Sequence, residues 1–177
     1  MYTVYHATIV GNRRSGKSAL CQQWSGAAPT STYVASFLVE DYTFGNIIVH
    51  DTPSQERFLK GIETYYIMSD VIILIVTNDE YDDTWVSRVQ TSKKTKWFLI
   101  LNGTQKFPEQ RRWALFNDVR VVNIDIDTGH NVSRAFEIFK GLIQDCADIK
   151  ESNQNDVNLM NSIQLYLENY SNHYCGY

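Results

Sequence analysis

The sequence predicts an α/β fold, a doubly wound and mostly parallel sheet of six strands with helices on both sides. Three observations carry this. Strand-like and helix-like segments alternate along most of the chain. Two of the strand-like runs, 71–76 (VIILIV) and 97–101 (WFLIL), are apolar throughout, as strands buried on both faces of a parallel sheet should be. A glycine-rich turn, Gly11-Asn12-Arg13-Arg14-Ser15-Gly16-Lys17-Ser18, lies between the first strand and the first helix, where backbone N–H groups and the helix dipole favour an anion.

Each element has its own signal. Residues 5–10 (YHATIV) read as the first strand, and 18–24 as the opening turns of a helix. Residues 25–36 are small and polar and read as a loop. Strands follow over 37–44 and 47–50, joined tightly at Gly45-Asn46. Pro53 ends the second of them, because it has no N–H to give a ladder, and a helix then runs through Met68. After the buried strand 71–76 come a helix over about 81–91, the strand 97–101 and a short helix over 109–117 that Pro108 introduces. The last strand is 119–124. A long helix over 131–149 carries Val132, Ala135, Phe136, Phe139, Leu142, Ile143 and Cys146 on one face.

Residues 150–156 (KESNQND) are polar and read as a linker, so the chain divides into a domain at 1–149 and an extension at 150–177. In the extension Leu159, Met160, Ile163, Tyr166, Leu167 and Tyr170 recur at helical spacing, an amphipathic helix with few charges. Its apolar face has three possible occupants: its own domain, a second copy that would make a homo-oligomer, or a partner.

The 177 residues suit one core-forming domain, with 44% hydrophobic and 20% charged residues. A net charge of −4 gives no electrostatic ground for a nucleic-acid partner. Cys21, Cys146 and Cys175 form neither a disulfide framework nor a metal pattern, which points to a reducing, intracellular and cytoplasmic setting. No secretory leader and no membrane-spanning run is expected. His50 reads as filling a sheet position, Trp97 and Trp113 as core, and Lys93, Lys94 and Lys96 as a solvated helix end.

The turn at 11–18 fits G-x-x-x-x-G-K-[ST], the phosphate-cradling P-loop, in the strand–turn–helix setting that the motif requires. Its chemistry is that of a nucleotide triphosphate site. Asn12, Arg14, Ser15, Gly16, Lys17, Ser18 and Ala19 line the cradle. Lys17 reaches toward the β- and γ-phosphates, and the Ser18 hydroxyl helps hold Mg²⁺.

Together with the segment Asp51-Thr52-Pro53-Ser54-Gln55-Glu56-Arg57-Phe58, this motif resembles the small GTPases of the Ras superfamily, the Rab branch nearest, over about residues 3–149. The resemblance implies the small G-protein version of the P-loop NTPase fold, binding of GTP and GDP with Mg²⁺, slow hydrolysis, and recognition of protein effectors or regulators through switch loops at 29–36 and 51–58. Ser36 lies nineteen residues past Lys17, where relatives have a threonine that meets Mg²⁺ and the γ-phosphate, and Tyr33 matches the switch tyrosine. Asp51 would hold Mg²⁺ with Ser18 and Ser36, and Gln55 would orient the attacking water.

This chain also departs from the family pattern. Ser54 replaces a glycine whose N–H meets the γ-phosphate, and Pro53 stiffens the same hinge. Arg13 stands where relatives have glycine, which crowds the catalytic glutamine. Either Arg13 or Arg14 acts as an internal arginine finger, or both are solvated loop charges that add some phosphate affinity, and slow hydrolysis is the expectation. In place of the base-reading N-K-x-D stands Asn102-Gly103-Thr104-Gln105, so Asn102 is kept and Gln105 takes the place of the carboxylate. The later S-A-K element falls on Asp125-Ile126-Asp127, and the aromatic that stacks on guanine falls on Pro29. The phosphate half is kept and the guanine half is eroded. Two further readings follow from that erosion: a pseudo-GTPase interaction module with weak or base-unspecific nucleotide binding, and a P-loop ATPase or nucleotide kinase. The ending His173-Tyr174-Cys175-Gly176-Tyr177 matches no prenylation signal, so membrane attachment by that route is not expected.

Overall fold

The computed structural model describes residues 3–27, 38–53, 59–77, 95–104 and 106–174. The chain forms two compact units, Met1–Leu142 and Ile143–Tyr177. The first is an α/β unit built on a six-stranded, mostly parallel sheet flanked by helices. Its strands are β1 (Tyr5–Val10), β2 (Glu40–Phe44), β3 (Ile47–Asp51), β4 (Val71–Val76), β5 (Lys96–Asn102) and β6 (Arg120–Ile124), in the spatial order β2-β3-β1-β4-β5-β6. Its described helices are α1 (Lys17–Trp24), α2 (Leu59–Met68), α3 (Pro108–Phe116) and the start of α4 (Val132–Tyr174), which continues into the second unit.

The apolar runs lie where sheet physics puts them. In β4 and β5, side chains from Val71 to Ile75 and from Phe98 to Leu101 are at most 4% exposed, and the two strands pair in parallel register with Ile73 beside Phe98. Alternation sorts the strand residues onto two faces. Val10, Ile72, Leu74, Leu99 and Leu101 share one face with Ile62 and Tyr66 of α2 and Ala114 of α3, where Phe107 completes the core. Phe44, Ile47 and Val49 point the other way. There Phe136 of α4 packs on Phe44 at 5.2 Å between ring centroids, and Trp24 of α1 stacks on Phe139 at 5.5 Å. Trp97 and Trp113 are half-buried and meet edge-on beside the first core.

Three expectations change. The strand expected over 37–44 starts at Glu40, and Leu38 is 78% exposed. Glu40 pairs with Asp51, the last residue of β3, and beyond it Thr52-Pro53 leaves the ladder, so the strand pairing ends there. Val119 likewise precedes its strand, behind Asp118 at a φ of 52°. The stretch 150–156, expected as a linker, is helical, inside α4. It contains no glycine or proline, and Lys, Glu and Gln are good helix formers, so polarity alone does not stop the helix. The helix expected over 81–91 and most of the loop expected over 25–36 lie outside the described residues.

In the second unit, α4 is tied locally by Gln144 to Asp148 (2.9 Å), Gln154 to Asn158 (3.2 Å) and the Ser162 hydroxyl to the Asn158 carbonyl (2.8 Å). Val157 and Met160 are exposed. The other side chains expected on its apolar face (Leu159, Ile163, Tyr166, Leu167 and Tyr170) lie outside the described set. No described helix is long and apolar enough to cross a membrane.

Candidate functional site

The site begins where β1 ends. Gly11 has a φ of 147°, and a Cβ there would stand 2.2 Å from the Ile75 carbonyl oxygen of β4, so a side chain is excluded by backbone. The chain then folds tightly on itself, with the Ser15 N–H donating to the Asn12 carbonyl at 3.2 Å. Gly16, at φ 97°, is the N-cap of α1, and its carbonyl accepts the first bond of that helix, from Leu20. A Cβ on Gly16 would meet Ile126 Cδ1 at 2.4 Å and Asn102 Nδ2 at 3.1 Å. Gly11 is therefore required by the close approach of backbone, and Gly16 by its positive φ, since the end of the Ile126 side chain is free to shift.

Lys17 is 5% exposed and folds back over this turn. Its Nζ donates to the Gly11 and Asn12 carbonyls, each at 2.9 Å, and lies 3.4 Å from Ser15 Oγ. Burial lowers its pKa to about 8, although Asp51 and Cys21 pull it up. At neutral pH the ammonium still carries its proton.

Asp51 closes β3 beside β1, in register with Ile9, and is 4% exposed. Its Oδ2 accepts the Ser18 hydroxyl at 2.5 Å, while its Oδ1 is buried without a hydrogen-bond partner among the described residues. Burial raises the Asp51 pKa, the Ser18 hydrogen bond and the Lys17 charge oppose that rise, and Glu40 adds to it. The next residue anchors this end of the strand: Thr52 Oγ1 donates to the Ile9 carbonyl at 2.7 Å. The Ser18 hydroxyl and a carboxylate with one oxygen unsatisfied among the described residues form a pair of hard donors, the kind that suits Mg²⁺ or Ca²⁺. Among the described residues no group of three or more His, Cys, Asp or Glu could hold a metal ion, so other oxygens would have to complete any coordination.

Asn102 joins the far side. Its Nδ2 donates to the Ser15 carbonyl at 3.2 Å, and its Oδ1 accepts the Ile126 N–H at 3.1 Å. Gln23 of α1 donates to the Ile126 carbonyl at 2.8 Å. The turn at 11–18, the end of β5 and the loop after β6 are thus one bonded assembly. Sequence reasoning missed the parts that Ile126, Gln23 and Thr52 play. Their contributions are steric or made to the main chain, and no residue-type pattern announces them.

The structure brings Asn12, Ser15, Gly16, Lys17, Ser18, Asp51 and Asn102 together, with Ala19 in the first turn of α1. Arg13 and Arg14 are exposed, and Arg14 adopts a φ of 63°. Tyr33, Ser36, Ser54, Gln55 and Gln105 lie outside the described residues, as does Pro29.

A second polar cluster lies within the sheet, away from this turn. His50, 3% exposed, bridges Asp41 Oδ1 (2.7 Å, through Nδ1) and His6 Nδ1 (3.0 Å, through Nε2). It stacks on His6 and packs against Tyr65 of α2. It fills a sheet position, as expected. No protein-family model and no curated protein matches the chain.

Proposed function

We propose that the chain is a divergent small GTPase of the Ras superfamily, nearest the Rab branch, that binds GTP and GDP with Mg²⁺ and hydrolyses GTP slowly. The observation that carries the reading is the buried Lys17 ammonium, held over the Gly11–Ser18 turn beside the Ser18–Asp51 pair. The strand order is compatible with the small G-protein form of the P-loop NTPase fold, which is part of the same proposal.

In this mechanism the N-terminus of α1 and the amides of the P-loop hold the phosphates. Lys17 supplies a desolvated positive charge toward the β- and γ-phosphates, which is worth more in a dry site than in water. Ser18 and Asp51, with Ser36 from the first switch loop, would hold Mg²⁺. Asp51 Oδ1, without a hydrogen-bond partner among the described residues, fits that role, because a metal-bound solvent molecule would satisfy it. Bound there, Mg²⁺ would supply positive charge to neutralise the phosphate oxygens. Gln55 orients water, and Arg13 crowds it, which keeps turnover slow. Output passes to protein partners through 29–36 and 51–58, and the setting is intracellular and cytoplasmic.

Titration of the intact protein with GTP and GDP tests the first step. Saturable binding that EDTA abolishes is expected, and folded protein that binds neither nucleotide would remove the proposal. Single-turnover hydrolysis tests the rest. Gln55→Leu should slow the reaction and Arg13→Gly should accelerate it. A slower Arg13→Gly would make Arg13 an internal finger instead of a brake.

A further inference from the structure

We propose that Glu40 is a second carboxylate of this site, so that Ser18, Glu40 and Asp51 hold a divalent cation before any nucleotide arrives. The inference rests on the reading above for the place of the metal, but it does not require that a nucleotide binds.

The ladder places the residue. Glu40 opens β2 directly opposite Asp51, the last residue of β3. Residues directly opposed in an antiparallel pair share a face of the sheet, with Cβ atoms about 4.5–5.5 Å apart. By alternation this is the face of Phe44 and Val49, where Phe136 of α4 packs on Phe44. There α1 meets Asp51, through the Ser18 hydroxyl on Oδ2. Burial is the main cause of the raised Asp51 pKa, and the Glu40 charge adds to it, so the two carboxylates stand close enough to repel.

Like charges set opposite each other across a ladder are destabilising. A separate observation makes this pair a ligand site. Asp51 is 4% exposed, and its Oδ1 is buried without a hydrogen-bond partner among the described residues. A cation shared by the two carboxylates removes both costs at once, because it offsets the repulsion and gives Oδ1 a partner, directly or through a bound water. Glu40 is exposed, so its side of the pair is open to an ion from solvent. Two carboxylates and a hydroxyl are hard oxygen donors that suit Mg²⁺, Ca²⁺ or Mn²⁺, with water or phosphate oxygens completing the coordination. Two carboxylates also match the charge of a divalent ion, so no phosphate is needed to balance it.

The test is titration of the full chain, stripped of nucleotide and metal, with Mn²⁺, reading the free ion by electron paramagnetic resonance and folding by circular dichroism. One Mn²⁺ per chain, displaced by Mg²⁺, is the expected result. Glu40→Gln should weaken binding by about tenfold or more, whereas Glu109→Gln, at an exposed carboxylate of α3, should not change it. Glu40→Gln that binds as the wild type does, or an equal loss in Glu109→Gln, overturns the proposal. Thermal denaturation gives a second readout. Without metal, Glu40→Gln should melt at or above the wild type, because it relieves the repulsion, and added Mg²⁺ should raise the wild-type midpoint more than that of the variant. A metal-free variant that melts below the wild type would mean that Glu40 is satisfied within the protein, which overturns the proposal. Mn²⁺ bound only when GTP is present would overturn this inference and leave the nucleotide reading in place. Mn²⁺ bound by a chain that takes neither GTP nor GDP would do the reverse.

Discussion

Lys17 and Asp51 are each almost fully buried, and burial is the largest influence on both, pulling the pKa of the base down and that of the acid up. Each charge moderates the other's cost, so the two behave as a unit. Removing one strands the other, whereas removing both relieves a desolvation cost that the ligand-free protein carries without return. The effects of Lys17→Met and Asp51→Asn should therefore not add, the double variant being more stable than the sum of the two single effects by about 0.5–3 kcal/mol. Urea denaturation without nucleotide measures this, and additive losses would refute the coupling. The pH dependence is a second check. The folded-state pKa of Lys17, about 8, lies below its ordinary 10.5. Between those values the unfolded chain binds more protons, so stability should rise with pH across that window. Asp51, displaced upward, makes stability fall as pH climbs above the ordinary carboxylate range. The double variant should lose both slopes.

Among the elements, α1 has to be held still, because its first turn forms half of the cradle. Trp24 does this from the other end of the helix. Its ring stacks on Phe139 at 6° between planes and lies 5.2 Å from Phe136, and its Nε1–H donates to the Val132 carbonyl at 3.1 Å. Trp24→Phe keeps a ring and loses one hydrogen bond, a cost of about 1 kcal/mol. Trp24→Ala loses the stack as well, about 3–4 kcal/mol in all. Chemical denaturation of the two variants reads the difference, and equal losses would mean that the stack contributes nothing. Elements with a strong pattern were legible from sequence: β1, β4, β5, α3 and the Gly45-Asn46 hairpin all stand within a few residues of where periodicity and turn residues put them. Those whose limits depend on a neighbour were not. The start of β2 is decided by where β3 stops offering a partner, and nothing in Leu38 or Val39 records that. The site divides in the same way. Gly11, Gly16, Lys17, Ser18 and Asp51 have chemical signatures, but Ile126 acts through its shape against Gly16 and was legible only once the fold brought them together.

Across the whole molecule the two units differ in what stabilises them. In the first, the central strands are sealed: Val71 to Ile73, Ile75, Phe98 and Ile100 have no measurable exposure. In the second, Ile143 and Cys146 are buried, the described side chains from 148 to 158 are exposed, and the bonds of Gln144 and Gln154 run to residues four apart. The polarity of 150–156 suggested a linker because sequence periodicity reports a buried face, and a helix that buries none along this stretch leaves no such trace. The i,i+4 pairs of this stretch are each worth a few tenths of a kcal/mol, so it opens locally without the sheet opening. Native-state hydrogen exchange at low protein concentration should therefore find amides of 150–158 exchanging at least about 100-fold faster than those of Ile72–Ile75, which wait for global unfolding. Raising the concentration separates two causes of any added protection. Protection at 150–158 that grows with concentration would mean that a second copy covers the helix. Strong protection independent of concentration would refute the account of this segment as a locally stabilised, solvated helix.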